Sequence, residues 1–111
     1  MTKVLYMPEV VDQFLELAEI LYAEGYLSLR EVAIEYAESL FRDIQRHLPN
    51  KLRRSAPEYF KQYGKGLFYS ICPKNRHTTW YVFYSIHPIG DDTIYLVRYI
   101  GNNHLVAHHL D

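Results

Sequence analysis

Apolar residues recur every three to four positions through the first half of the chain, which predicts two amphipathic helices. The first begins at Pro8, a residue suited to the first helical turn, and ends near Gly25. The second begins at the capping-box sequence Ser28–Glu31 and ends before Pro49. A short strand over Lys3–Met7 precedes them. Two helices joined by a short loop form an antiparallel helical hairpin.

The second half changes to runs rich in aromatic and β-branched residues, which are typical of strands. Three such runs, Leu67–Cys72, Thr78–Ile86 and Thr93–Ile100, are separated by turn residues and predict an antiparallel meander. The middle run is apolar at both alternating sets of positions, so we expect a central strand. Residues 49–66 are polar and basic, which favours a loop with at most one short helical turn.

These elements predict an α+β fold with the order β-α-α-β-β-β. A short N-terminal strand and an α-helical hairpin would pack on one face of a small antiparallel β-sheet. At 111 residues the chain predicts a single domain over residues 1–111. A hydrophobic content of 49% is enough to build a core rather than a disordered chain.

The single cysteine, Cys72, excludes an intramolecular disulfide and favours a reducing compartment. The first residues lack the charged head, apolar stretch and cleavage site of a signal peptide. No apolar run approaches the roughly 20 residues that a membrane span requires. We therefore expect a cytoplasmic protein that does not act in a membrane.

Charge is distributed unevenly along the chain. Residues 1–38 carry eight acidic and two basic residues, residues 39–76 carry two acidic and nine basic ones, and residues 77–111 carry three acidic and one basic. A basic middle third suits contact with nucleic acid or an acidic protein, although loops and helix ends are also often basic for solubility. In this region we predict that Arg53, Arg54, Lys61 and Lys65 contact such a nucleic acid or protein target.

Three histidines near the C-terminus raise the question of a metal site. His104 and His108 are four residues apart and would share a helical face, as two zinc ligands do. The segment lacks the glutamate of an HExxH motif, and the chain has no cysteine pair, so a polar C-terminal turn is the favoured interpretation. Cys72 lies directly before Pro73 at a strand end, where a packed thiol is favoured over a nucleophile. We expect neither a metal nor a cofactor.

Basic and aromatic residues of the predicted sheet suit metal-independent cleavage of RNA. That reaction needs a base, an acid and cations that stabilise developing negative charge. Histidine can serve as the acid or the base, and Lys74, Arg76 and Arg98 can supply positive charge, while Tyr81 or Tyr99 stacks on a base. Each also has a structural interpretation: turn solvation for Lys74 and Arg76, an edge charge for Arg98, and half-buried sheet positions for the tyrosines.

The element order and two segments, TTWYVFYSI and TIYLVRYIGNNHLVAHHL, resemble the RelE/ParE superfamily of type II toxin–antitoxin toxins, which includes plasmid stabilisation proteins. The resemblance implies a bacterial cytoplasmic toxin whose partner is a cognate antitoxin. It also implies one of two targets: mRNA on the ribosome, which the toxin cleaves, or DNA gyrase, which ParE-type toxins inhibit without acting as nucleases.

By position, the resemblance makes Arg76, Arg98 and His104 the matching catalytic residues, followed by Lys74 and His108. His104 would act as acid or base, and the arginines would stabilise charge. The chain departs from the family where it has Tyr81 in place of arginine and where its tail lacks a basic cluster. A ribosome-dependent endoribonuclease, a gyrase inhibitor and an inactive family member therefore all remain open.

Overall fold

The structure, a computed structural model, describes residues 1–23, 30–74, 78–106 and 109–110, without the side chains of Leu21, His104 and Leu105. Its helices are α1 (Pro8–Ala23), α2 (Arg30–His47) and the short α3 (Asn103–Val106), and its strands are β1 (Thr2–Tyr6), β2 (Arg54–Ser55), β3 (Phe68–Pro73), β4 (Thr79–Ile89) and β5 (Asp92–Asn102). Two 3-10 helices, Leu48–Asn50 and Glu58–Tyr63, lie between α2 and β3.

The predicted α+β architecture is confirmed: an N-terminal strand and two helices precede the strands of one sheet. The strand order in that sheet is β1-β5-β4-β3-β2. The pairs formed by β2, β3, β4 and β5 are antiparallel, whereas β1 lies parallel to β5, so the sheet is mixed rather than antiparallel throughout. A parallel pair needs a long crossover connection, and the helical hairpin with β2, β3 and β4 provides it.

Several predicted boundaries shift. The turn between β4 and β5 is shorter than expected, because the strands pair up to Ile89 and Asp92. Gly90 adopts a φ of +62° there, which glycine tolerates better than other residues. β5 also continues through Gly101 and Asn102, two residues beyond the predicted strand end at Ile100. Both Gly25 and the predicted cap at Ser28 lie outside the described residues.

The larger core lies between the helices and one face of the sheet. Fully buried Val10, Leu40 and Ile44 of the helices pack there against Val82 and Tyr84 of β4. Burying such side chains stabilises the fold by roughly 1.5–3 kcal/mol each. This core holds the helical hairpin on the sheet and leaves the opposite sheet face to other segments.

The opposite face of the sheet is covered by a smaller cluster of aromatic and aliphatic residues. Phe60 of the second 3-10 helix stacks on Phe83 of β4 with ring centroids 4.2 Å apart, and Val106 of α3 belongs to the same cluster. β4 is therefore central in order and has apolar contacts on both faces. The segment predicted to be a loop supplies part of this cover.

Candidate functional site

A β-bulge in β5 brings Arg98 and Tyr99 to the sheet face opposite the helices. Phe83 pairs with Tyr99 and Tyr84 pairs with Val97, which leaves Arg98 as the extra residue. Val97 packs in the helix-side core, whereas Tyr99 packs in the opposite cluster. Bulges redirect side chains in this way and occur often beside active sites.

Arg98 contacts a pair of polar residues on the neighbouring strand. Its Nε donates a hydrogen bond to Ser85 Oγ at 3.4 Å, and Ser85 Oγ shares a 2.8 Å hydrogen bond with His87 Nε2. Ser85 and His87 are two residues apart on β4 and therefore lie on the same face. Within the part of the chain that the structure describes, no carboxylate forms an ion pair with Arg98. Within the described chain, no ion pair therefore neutralises the charge of Arg98.

A cleft of about 390 Å³ opens beside Arg98 at the edge of β5. β1 pairs with β5 only as far as Val97, and helix α1 then passes along the open edge, where Gln13 Nε2 donates to the carbonyl oxygen of Ile100 at 3.3 Å. The residues that line the cleft are Met7, Glu9, Gln13, Tyr63, Arg98 and Tyr99. One cationic residue, Arg98, and one acidic residue, Glu9, thus meet two tyrosine rings in one concave site.

The two tyrosines of the cleft form a parallel stack. The rings of Tyr63 and Tyr99 have centroids 4.0 Å apart and planes inclined by 9°. Burial, followed by the neighbouring Tyr63, raises the pKa of Tyr99 to about 12. Near neutral pH Tyr99 is therefore a neutral phenol, suited to stacking and hydrogen bonding rather than to taking up a proton.

The predicted target-binding residues are not all gathered at this cleft. Lys65 is exposed in the loop directly after Gly64, and an added Cβ at Gly64 would lie 3.1 Å from Arg98 Cδ. Lys61 pairs with Glu58 at 3.2 Å on the surface. Tyr81 lies further along β4, opposite Gly101.

The other two arginines lie near the β2 edge of the sheet. Arg54 pairs with Tyr69 in β2, and the Arg53 guanidinium lies 5.1 Å from the centroid of the Phe68 ring. Both arginines are exposed. They can contact a large polyanion, but Arg54 belongs to β2, at the far side of the sheet from β5, and Arg53 directly precedes it.

Lys74 lies on the helix side of the sheet. Its Nζ donates to Ser39 Oγ at 2.8 Å and pairs with Asp43 Oδ2 at 3.2 Å, both in α2. It also lies 5.6 Å from the centroid of the Tyr36 ring. These contacts give Lys74 a role in joining β3 to α2.

Three of the four predicted catalytic residues cannot be located in the site. Arg76 and His108 lie outside the described residues, and His104 is described by its backbone alone, within α3. The described part of the tail is packed rather than free, because the His109 ring stacks on Tyr59 with centroids 3.6 Å apart. Of the four, Arg98 alone can be assigned a position at the cleft.

The remaining predictions concern Cys72 and a metal. Cys72 is buried, and this burial raises the pKa of its thiol, which favours the unreactive protonated form. Among the described residues, no cluster of three or more His, Cys, Asp and Glu side chains could hold a metal ion. Nor is any helix of the described chain long and apolar enough to cross a membrane.

Sequence reasoning missed Ser85 and His87 as site residues. The alternation of polar and apolar residues in the sequence indicates them, because they occupy alternate positions of a strand whose other face carries Tyr84 and Ile86. Comparisons with protein-family models, curated proteins and solved structures found no match to the chain.

Proposed function

We propose that the protein is the toxin of a type II toxin–antitoxin module and arrests growth by cleaving mRNA on the ribosome. The observation that carries this proposal is the bulge at Arg98, which presents a guanidinium without a carboxylate partner in the described chain beside Ser85, His87 and the stacked ring of Tyr99. The order of a strand, two helices and a sheet supports the same assignment, since the RelE/ParE resemblance implies that layout.

The proposed chemistry is metal-independent transesterification. The 2′-oxygen of a nucleotide attacks the adjacent phosphorus, a base takes the 2′-hydroxyl proton, and an acid protonates the departing 5′-oxygen. The products are a 2′,3′-cyclic phosphate and a free 5′-hydroxyl. Arg98 stabilises the negative charge that develops on the phosphoryl oxygens.

Two histidines are proposed for proton transfer. His87 is placed by its bond to Ser85, which lies between its ring and Arg98. His104 is the histidine that the resemblance assigns, and it follows β5 directly in α3. Tyr99 stacks on a base, and Lys65, together with Arg53, Arg54 and Lys61, contacts ribosomal RNA or mRNA through charge.

The proposed partners are a cognate antitoxin and the ribosome with its mRNA, in the bacterial cytoplasm. The sheet face bearing Arg98 already carries the second 3-10 helix and α3 as cover in its aromatic region. An antitoxin that silences this site therefore needs to cover only the cleft beside Arg98, or to hold the toxin away from the ribosome.

The experiment that tests the proposal is induction of this chain alone in a bacterial host. Growth, the 5′ ends of cellular transcripts and the supercoiling of a reporter plasmid are followed in one culture. We expect growth arrest with new 5′-hydroxyl ends inside translated regions and with unchanged supercoiling. Arrest with intact transcripts and relaxed plasmid would instead support ParE-type inhibition of gyrase, and normal growth would contradict a toxin activity of this chain.

A further inference from the structure

The outer surface of the helical hairpin carries an apolar groove of about 670 Å³ between α1 and α2. Its floor includes Ala18 and Ala37, which are small and buried, so the two helices approach closely there. Its walls include Val11, Leu15 and Ile34, which are 39%, 67% and 42% exposed. No other part of the described chain lines this groove.

Helix α1 exposes more apolar surface than its packing on the sheet and on α2 requires. Val10, Phe14 and Leu17 of α1 already face the sheet or α2. Val11 and Leu15 form a second stripe, four residues apart, on the solvent side. A contiguous exposed apolar surface of this kind marks an interaction site more often than chance exposure does.

Charge around the groove identifies the kind of partner. Helix α1 contains four acidic residues and neither lysine nor arginine. Three charged residues line the groove itself, Glu19, Glu38 and Arg42, and they are compensated, because Glu19 is paired with Arg30 and Glu38 with Arg42. Asp12, three residues before Leu15, and Glu16, directly after it, have no ion pair among the described residues. The α1 surface beside the groove, outside its lining, therefore carries uncompensated negative charge.

This charge disfavours a second copy of the chain as the occupant. A twofold arrangement of two hairpins would bring the acidic helix α1 close to the acidic surface of its copy. Like charges placed together at an interface oppose association by several kcal/mol. A basic ligand gains attraction from the same surface instead.

We propose that the groove binds an amphipathic helix of a partner protein, with an apolar stripe flanked by lysine or arginine. Apolar side chains three to four residues apart on the partner would fill the space between Val11, Leu15 and Ile34. Flanking cations would lie near Asp12 and Glu16. The groove and the Arg98 cleft share no lining residue, so this inference stands independently of the proposed function.

A pair of designed peptides tests the proposal. Both are 18-residue helices with the same leucine stripe, and their flanking positions carry lysine in one and glutamate in the other. Affinity for the whole protein is measured by fluorescence anisotropy at low and high salt. We expect the lysine peptide to bind at least about tenfold more tightly, with a difference that shrinks as salt screens the charges.

Variants locate the binding surface. The double variant Leu15→Gln with Ile34→Gln should weaken the lysine peptide at least about tenfold. Ile89→Gln, which alters an apolar residue at the β4–β5 turn about as exposed as Leu15, should leave the affinity unchanged. Circular dichroism establishes that each variant is folded.

Three outcomes would overturn the proposal. They are equal affinity for the two peptides, an equal loss of affinity in Ile89→Gln, and a dimer of the wild-type protein in light scattering that dissociates in the Leu15/Ile34 variant. The last result would assign the groove to a second copy.

Discussion

The ring of Tyr63 lies parallel to the ring of Tyr99, with centroids 4.0 Å apart, and this stack joins the second 3-10 helix to the bulged part of β5. Gly64 follows Tyr63 directly and approaches the aliphatic part of Arg98 so closely that a Cβ there would lie 3.1 Å from Cδ. The ring stack and the Gly64 contact together fix the positions of Tyr63 and Arg98, which line the cleft. The cleft therefore depends on a segment that its sequence alone presents as a polar loop.

The first prediction concerns Arg98. Under the proposed function, Arg98→Ala should lower the rate of mRNA cleavage by about 10²-fold or more, because it removes a cation that stabilises transition-state charge. Arg98→Lys should retain part of the activity, since a single ammonium replaces the guanidinium. The measurement is single-turnover cleavage of mRNA on purified ribosomes.

The matched control for Arg98 is Arg46→Ala, which removes an exposed arginine from α2. This variant loses the same net charge but leaves the cleft unchanged. Equal losses in the two variants would show that Arg98 acts only through overall charge.

The second prediction separates the two histidines proposed for proton transfer. Because acid and base are different groups, we expect His87→Ala and His104→Ala each to lower cleavage by about 10²–10⁴-fold. His47→Ala, at the exposed C-terminal end of α2, should have no effect. A histidine whose alanine variant cleaves at the wild-type rate has no part in the mechanism.

The bulge at Arg98 explains why the site was only partly predictable. Arg98 and Tyr99 were identified from residue type, but consecutive residues of a regular strand point to opposite faces. Their placement on one face depends on the pairing of β5 with β4, which no local pattern records. Lys74 is a similar case, since its partners Ser39 and Asp43 lie 35 and 31 residues away.

The elements themselves were better predicted, because periodicity is a local property. Pro8 predicted the start of α1 and apolar spacing its course, and strand composition located β3, β4 and β5 within a few residues. The parallel pairing of β1 with β5 was missed, since its partners, such as Val4 and Tyr95, are far apart in sequence. Long-range pairing of this kind is settled by packing of the whole sheet rather than by propensity.

A third prediction concerns the buried hydrogen bond between Ser70 Oγ and Tyr84 Oη, 2.8 Å long. Tyr84→Phe leaves the Ser70 hydroxyl buried without this partner and should lower the free energy of unfolding by about 1–3 kcal/mol. Ser70→Ala should act similarly on the Tyr84 hydroxyl. The double variant should cost less than the sum of the two, because neither hydroxyl then remains.

Urea denaturation measures the free energies of this double-mutant cycle. Tyr22→Phe, which alters an exposed tyrosine in α1, is the control and should stay within about 0.5 kcal/mol of the wild type. Strictly additive losses would contradict an energetic role for the Ser70–Tyr84 bond.

The fourth prediction is a loss of stability at alkaline pH that depends on Tyr99. Burial and the neighbouring Tyr63 raise its pKa from 10.0 to about 12, so the folded state holds this proton more tightly than the unfolded state does. The contribution of this proton to the free energy of unfolding is complete below pH 10 and declines as pH rises from 10 towards 12. Tyr99→Phe should flatten this part of the stability curve, as measured by urea denaturation at a series of pH values.

Another buried tyrosine also affects the stability in this alkaline range and can be compared with Tyr99. Burial also raises the pKa of Tyr84, so Tyr84→Phe should flatten the curve in the same direction. A slope that is the same in wild type and Tyr99→Phe would contradict the assignment to Tyr99.

The last prediction concerns the close contact between Gly101 and Val106, which holds α3 against β5. A Cβ at Gly101 would overlap Val106 Cγ2 and lie 3.3 Å from Tyr99 Cε2. Val106 is fully buried, so it cannot move aside without disturbing the aromatic cluster. Gly101→Ala should therefore destabilise the protein by about 1–3 kcal/mol, the usual cost of overpacking a core.

Val106→Ala in the same chain should recover part of this loss, because it removes the methyl group that an alanine at Gly101 would meet. The single variant Val106→Ala leaves a small cavity and is destabilising by itself, so the two changes should be coupled by about 0.5–3 kcal/mol. Urea unfolding monitored through the buried Trp80 measures the cycle. If Gly101→Ala is as stable as the wild type, or if the two losses simply add, α3 does not pack on Gly101 as described.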